Sequence, residues 1–157
     1  MNATRCAVAI TISVLAFGCV ARSSPNQAIN PEGLFKYPGF HQVMASSRGK
    51  TIYVAGQVAQ DTGMNVVGEG DYRAQTIRAL QNVAIALEAA GATPADVVSS
   101  TFYIKGLRPK VAGEVMQAMA VALDGHPFPA HAFNIIGVEM LGDPRLLIEI
   151  TAIATIE

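Results

Sequence analysis

Tryptophan is absent from the 157 residues, and cysteine occurs only twice. Two cysteines cannot staple a small disulfide-dense fold. Charge is also scarce. Charged residues make up 15% of the chain, 11 basic against 12 acidic, for a formal net charge of −1. With no excess of basic side chains, nucleic acid is not an expected partner. Low charge beside 51% hydrophobic residues excludes a disordered tail. The 14 glycines and 8 prolines follow no period, which excludes a collagen-like chain. No Walker A, Cys-x-x-Cys, His-Glu-x-x-His or Gly-x-Ser-x-Gly pattern occurs. Gly68-x-Gly70 lacks the third glycine of a dinucleotide fingerprint and reads as a turn before a helix. His126 and His131 flank two prolines with no acidic residue between them, so neither a metal site nor a cofactor is expected.

What is present begins with an apolar run, Cys6 to Phe17, behind a single basic residue, Arg5. A helix of that length does not reach across a bilayer, which needs roughly 20 residues. It has the length of a secretory h-region, so residues 1–18 are expected to be a signal peptide. Leu15-Ala16-Phe17-Gly18-Cys19 resembles a bacterial lipobox, in which Cys19 would be lipidated, although Ala16 stands where such boxes place Leu. Cleavage after Gly18 or Ala21 without lipidation is the alternative, and an uncleaved N-terminal helix or a misplaced start is another. Losing residues 1–18 removes Arg5 and no acidic residue, moving the net charge from −1 to −2. The expected location is the periplasm or the envelope, with the membrane touched only through the lipid. Residues 19–33 are polar, contain proline and read as a linker to a domain at 34–157.

Within that domain, His41–Ser46 and Thr51–Ala55 flank Ser47-Arg48-Gly49-Lys50 and suggest a hairpin. Asn65-Val66-Val67 suggests a short third strand. Ile77, Leu80, Val83, Ala84 and Leu87 recur at helical spacing, with Asp71 as N-cap and Gly91 just beyond the end. Val97–Lys105 alternates as a strand, expected to lie parallel to and paired with the hairpin strand. A second helix is expected from Lys110 to Leu123, with Val111, Val115, Ala118, Met119 and Ala122 inward. Strands follow at His131–Val138 and Leu146–Ile156. The order is ββ(β)αβαββ, an α+β class with a mixed sheet and two helices on one face. The other face is left without cover from its own chain, and burial against further copies of the chain is the simplest way to cover it.

Two residues stand out chemically. Glu149 lies between Ile148 and Ile150 in the most apolar strand, sharing a face with Leu147, Thr151 and Ile153. It is a candidate general acid/base in a cleft; a solvated strand residue or an interface ion pair is the alternative. His131 opens the neighbouring strand after Pro127-Phe128-Pro129, a place suited to ligand contact or to a hydrogen-bonded structural histidine.

Ile52-Tyr53-Val54-Ala55-Gly56-Gln57, Thr62-Gly63, Gln75, Asn82, Leu87-Glu88-Ala89-Ala90-Gly91, Val97-Val98, Pro129-Ala130 and Ile148-Glu149-Ile150-x-Ala152-Ile153-Ala154 occur in that order. Over residues 34–157 they resemble the Rid (YjgF-type) family. The resemblance implies a chorismate-mutase-like fold and a homotrimer, with three sheets around a central barrel and a small-molecule cleft between each pair of subunits. In the best-known members those clefts hydrolyse enamines and imines to a 2-oxo acid and ammonia. It further implies that the Gly56 N–H binds an anion and that Glu149 orients water. The residue after Pro-Ala is a carboxylate-clamping Arg in active members and His131 here. Ala55 replaces a small polar residue, Phe40 an aromatic hydroxyl, and Phe133 a Cys or Thr. Arg offers a permanent planar fork, whereas His is mostly neutral at pH 7. The expectation is therefore a divergent exported trimer that binds a small, less anionic ligand without efficient 2-imino-acid deaminase activity. The alternatives are a deaminase using Glu149 with His131, and a structural envelope protein with vestigial clefts.

Overall fold

The structure, a computed structural model, describes residues 26–30, 38, 41, 43–46 and 49–157. The expected signal peptide at 1–18 lies outside the described residues. The elements run β1 (Asn26–Ile29), β2 (Val43–Ser46), β3 (Lys50–Val58), α1 (Tyr72–Ala89), β4 (Val97–Lys105), α2 (Pro109–Met119), β5 (Ala132–Val138) and β6 (Ile148–Ile156). Four strands form a mixed sheet in the order β3-β6-β4-β5, with β6 antiparallel to both neighbours and β4 parallel to β5.

β6 is the centre of this arrangement because its period-two pattern suits a strand paired on both edges. Ile148, Ile150, Ala152, Ala154 and Ile156 turn to the helices and are buried. Phe102 and Ile104 of β4 join them, with Leu80, Val83 and Leu87 of α1 and Val111 and Val115 of α2 closing the core. Both helices lie on this one side of the sheet. Tyr53, Ile136 and Ile153 remain exposed at 78%, 43% and 37%. Tyr53 and Ile153 are direct cross-strand partners on the face turned away from the core.

Local signals set the helix limits. The Asp71 carboxylate accepts from the Ala74 N–H at 3.0 Å, capping α1. Gly91 beyond its end has φ +80°, the left-handed geometry that glycine adopts without strain. α2 opens on Pro109 and stops at Met119, short of the expected Leu123. Asp124 and Gly125, both with positive φ, turn the chain back there.

Four further expectations differ from the structure. β2 pairs with β1 and not with β3, and β1 lies inside the stretch read as linker. Side chains hold this pair to the sheet: Ser46 donates to Thr155 at 3.0 Å, Thr155 donates to the Asn26 amide oxygen, and Asn26 donates to the Asp96 carbonyl at 3.2 Å. Residues 65–67 form no strand, only a bridge from Val66 to Gln60. The cause is Asp61, whose carboxylate gathers the Gly63 and Asn65 N–H groups at 2.8 and 2.9 Å into a tight loop. Finally, β3 and β4 run in the same direction but do not pair, because β6 inserts between them.

One buried polar residue ties helix to sheet. Gln75 is fully buried in α1, a position the apolar spacing did not mark. Its amide donates to the Gly68 and Arg145 carbonyls at 3.2 and 3.0 Å and accepts from the Leu147 N–H at 2.8 Å. Gln75→Leu keeps the volume and strands these backbone groups. The expected loss is roughly 3 kcal/mol of stability, read as a lower urea midpoint; a loss below about 1 kcal/mol would show that the latch is dispensable.

Candidate functional site

The face of the sheet away from the helices carries a bulge. Register runs from Val54 opposite Ala152 to Gln57 opposite Ile150, so Ala55 and Gly56 together oppose Thr151. The bulge brings the backbone of β3 against Glu149. A Cβ built on Gly56 would lie 2.0 Å from the Glu149 carboxylate oxygen Oε1 and 2.7 Å from Cδ. Gly56 is therefore needed here for close approach: only a residue without a side chain leaves the carboxylate its place.

Glu149 is half-buried between Val58 of β3 and Tyr103 of β4, its register partners. It borders a recess of about 380 Å³ whose other walls are Tyr103, Val138, Met140, Leu141, Gly142 and Thr151. The wall from 140 to 142 belongs to the β5–β6 loop, which is anchored at several points. Lys105 Nζ donates to the Pro144 carbonyl at 2.7 Å, and Arg145 grips Asp143 with Nη2 to Oδ2 at 2.7 Å. That guanidinium holds the Asp143 carboxyl down at about 2. Gln75 fixes the backbone at Arg145 and Leu147 from below.

His131 lies on the other side of the sheet. It is 1% exposed, and its ring meets Phe128 and Phe133 at centroid distances of 5.5 and 5.7 Å. Nδ1 lies 2.7 Å from the Pro129 carbonyl, which can only accept, so Nδ1 carries the proton. In the neutral ring, Nε2 then accepts the Ser100 hydroxyl at 2.7 Å. Burial pushes the His131 pKa below 6.5, against the Pro129 hydrogen bond, which favours the charged form. Ser100 shares the core side with Phe102, whereas Glu149 pairs with Tyr103 on the open side. The expected acid/base pairing of His131 with Glu149 thus does not occur within a protomer. Phe133 also turns to the core, edge-on to Phe102 at 5.6 Å, and does not line the recess.

Of the residues singled out from the sequence, Glu149, Gly56 and Ala55 are brought together on the open face. His131 and Phe133 sit in the core layer. Phe40 and Cys19 lie outside the described residues. Thr151 was placed on Glu149's face by strand parity and does line the recess, whereas Tyr103, Met140 and Leu141 were missed. Pairing of β4 with β6 is what brings Tyr103 opposite Glu149. Among the described residues, no three His, Cys, Asp or Glu side chains converge to hold a metal ion.

The sequence profile of a family described as Endoribonuclease L-PSP matches residues 36–156. A RutC family protein of Pyrococcus horikoshii is 32% identical over 111 residues, covering 70% of this chain and 82% of that protein. A RutC family protein of Pyrococcus abyssi is 42% identical over 59 residues, a match spanning 38% of this chain and 46% of that relative. Among solved structures, a protein of unknown function of the Rid family from Yersinia pestis superposes with a TM-score of 0.72 at 38% identity. That match covers 84% of this chain and 99% of the other.

Two outcomes follow from the site's geometry. An unfolded histidine takes up its proton near pH 6.5, before the folded His131 does. Stability is then full above that pH and declines as pH falls below it. Urea midpoints should drop between pH 7 and 5, and His131→Gln, which carries a donor and an acceptor but does not titrate, should flatten the drop. Gly56→Ala should fold, because the atoms it meets end a flexible side chain, with a loss of about 1 kcal/mol. NMR should nevertheless show the Glu149 side chain displaced.

Proposed function

The chain belongs to the endoribonuclease L-PSP (Rid, YjgF-type) family, and from that membership we propose that it works as a homotrimer holding a small molecule in clefts between subunits, without efficient 2-imino-acid deaminase activity. The observation that carries this reading is the burial of His131. The position after Pro129-Ala130 holds a neutral ring, engaged at both nitrogens by its own chain and turned away from Glu149. A substrate carboxylate in the recess would meet no cation from this position. A missing charged hydrogen bond costs about 1.5–3 kcal/mol, or roughly 10- to 150-fold in affinity.

Self-association is supported by the open face of the sheet. Tyr53, Ile136 and Ile153 are exposed on the side that no helix among the described residues covers, and a patch of this kind is where copies of one chain pack. The Glu149 recess opens on the same side, so packing there would complete its walls. The ribonuclease activity in the family's name is not extended to this chain, since 11 basic against 12 acidic residues give no phosphate-binding excess. Export to the periplasm or envelope belongs to the same proposal and is supported by the h-region Cys6–Phe17 and by the sequence ahead of Cys19.

Light scattering on the purified protein should give the mass of three protomers, and a monomer would overturn the trimer. Hydrolysis of 2-iminopropionate, followed by competition with semicarbazide, should run within a few-fold of buffer. Acceleration of about 100-fold or more, equivalent to roughly 2.7 kcal/mol of barrier, would overturn the loss of deaminase activity.

A further inference from the structure

We propose that the Glu149 recess is a site for a small organic cation, a primary ammonium on a short apolar body, and that it rejects carboxylates. The proposal rests on the cleft reading above and names its ligand class.

Among the described residues that border the recess, Glu149 is the one that carries a charge. Among the described residues its carboxylate makes no hydrogen bond or ion pair. It is held at the site without being neutralised there, and Gly56 provides the space for it. Nearby, the Arg145 guanidinium is paired with Asp143, and Lys105, at the end of β4, points its ammonium at the Pro144 carbonyl. A ligand carboxylate would therefore face a like charge, and no cation among the described residues that border the recess. An ammonium would find the Glu149 oxygens as charged acceptors, the Tyr103 and Thr151 hydroxyls as neutral ones, and the Tyr103 ring as a cation–π surface.

The remaining wall suits the ligand's other end. Val138, Met140 and Leu141 are apolar, and methionine adapts its shape to flat or branched hydrocarbon. The volume of about 380 Å³ lies within the range of small-molecule sites. Because Lys105 and Gln75 pin the loop that carries this wall, little ordering is needed on binding.

The test uses the full-length protein and three probes of nearly equal size: benzylamine, benzyl alcohol and benzoate. Binding is followed by amide shifts in NMR at pH 7, with the oligomeric state recorded by light scattering on the same sample. Benzylamine is expected to bind about tenfold or more tightly than benzyl alcohol, and benzoate more weakly than either. Glu149→Gln should bring the amine to within about twofold of the alcohol. Met140→Lys, at a position 70% exposed and tolerant of change, should turn the preference toward benzoate. Benzoate binding as tightly as the amine, or an amine preference that survives Glu149→Gln, overturns the cation site. Equal binding of amine and alcohol overturns it too, while leaving the cleft reading in place. A monomer, or no binding of any probe, overturns both.

Discussion

Everything in the molecule is arranged around a strand paired on both edges. β6 lies between β3 and β4, and its residues alternate from Ile148 to Ala154, after which Thr155 is buried as well, bonded to Ser46 and Asn26. The even positions fill the core beneath two helices, and Glu149, Thr151 and Ile153 face away. A slip of one residue would drive Glu149 and Thr151 into the core and expose the isoleucines. The hydrophobic term that fixes the register thus also fixes the carboxylate. No separate device is needed to hold Glu149 on the open side. The bulge at Ala55–Gly56 then sets how closely the neighbouring backbone approaches it.

The sheet also separates two chemistries that the sequence places close together. On the core side, a neutral histidine is embraced by a serine hydroxyl, a proline carbonyl and two aromatic edges. On the open side, a carboxylate stands among apolar and hydroxyl groups. A permanent cation could not occupy the His131 site without a buried partner, since the desolvation of an unpaired charge far exceeds what such packing returns. Histidine fits because it can discard its charge. The same property would remove it as a carboxylate clamp, so on the function proposed above the stability of the core and the loss of a clamp have one cause.

Much of this was legible in the sequence, and the failures are instructive. The limits of α1 could be read from Asp71 and Gly91, because caps are local. Glu149 could be picked out because a charge in an alternating apolar strand is conspicuous wherever the strand lies. The neighbours of β6 could not, because pairing order depends on contacts distant in sequence. Gln75 could be matched to the family but its burial could not be read, since burial of a polar side chain is decided by three backbone partners, none visible in a periodicity. His131 is the first residue after a proline-bounded connector, just before β5 begins, where strand parity is not yet set. Its two readings, ligand contact or structural histidine, were separable only through Ser100, thirty-one residues away. Met140 and Leu141 carried no signal at all, because a loop becomes a wall only through the tertiary bonds that hold it.

The open face has a final consequence for how site and assembly are coupled. Tyr53 and Ile153 face each other across β3 and β6, and Glu149 follows Ile153 on the same side of β6 after Thr151. Two residues of strand rise correspond to roughly 7 Å, so the exposed apolar pair and the carboxylate are spaced by about 14 Å. A second copy packed on Tyr53 and Ile153 would reach the rim of the recess with its own side chains. Ligand affinity would then depend on protomer concentration, and ligand would in turn hold the assembly together by mass action. An exposed apolar face and a carboxylate with no hydrogen bond or ion pair among the described residues are, on this geometry, two parts of one surface.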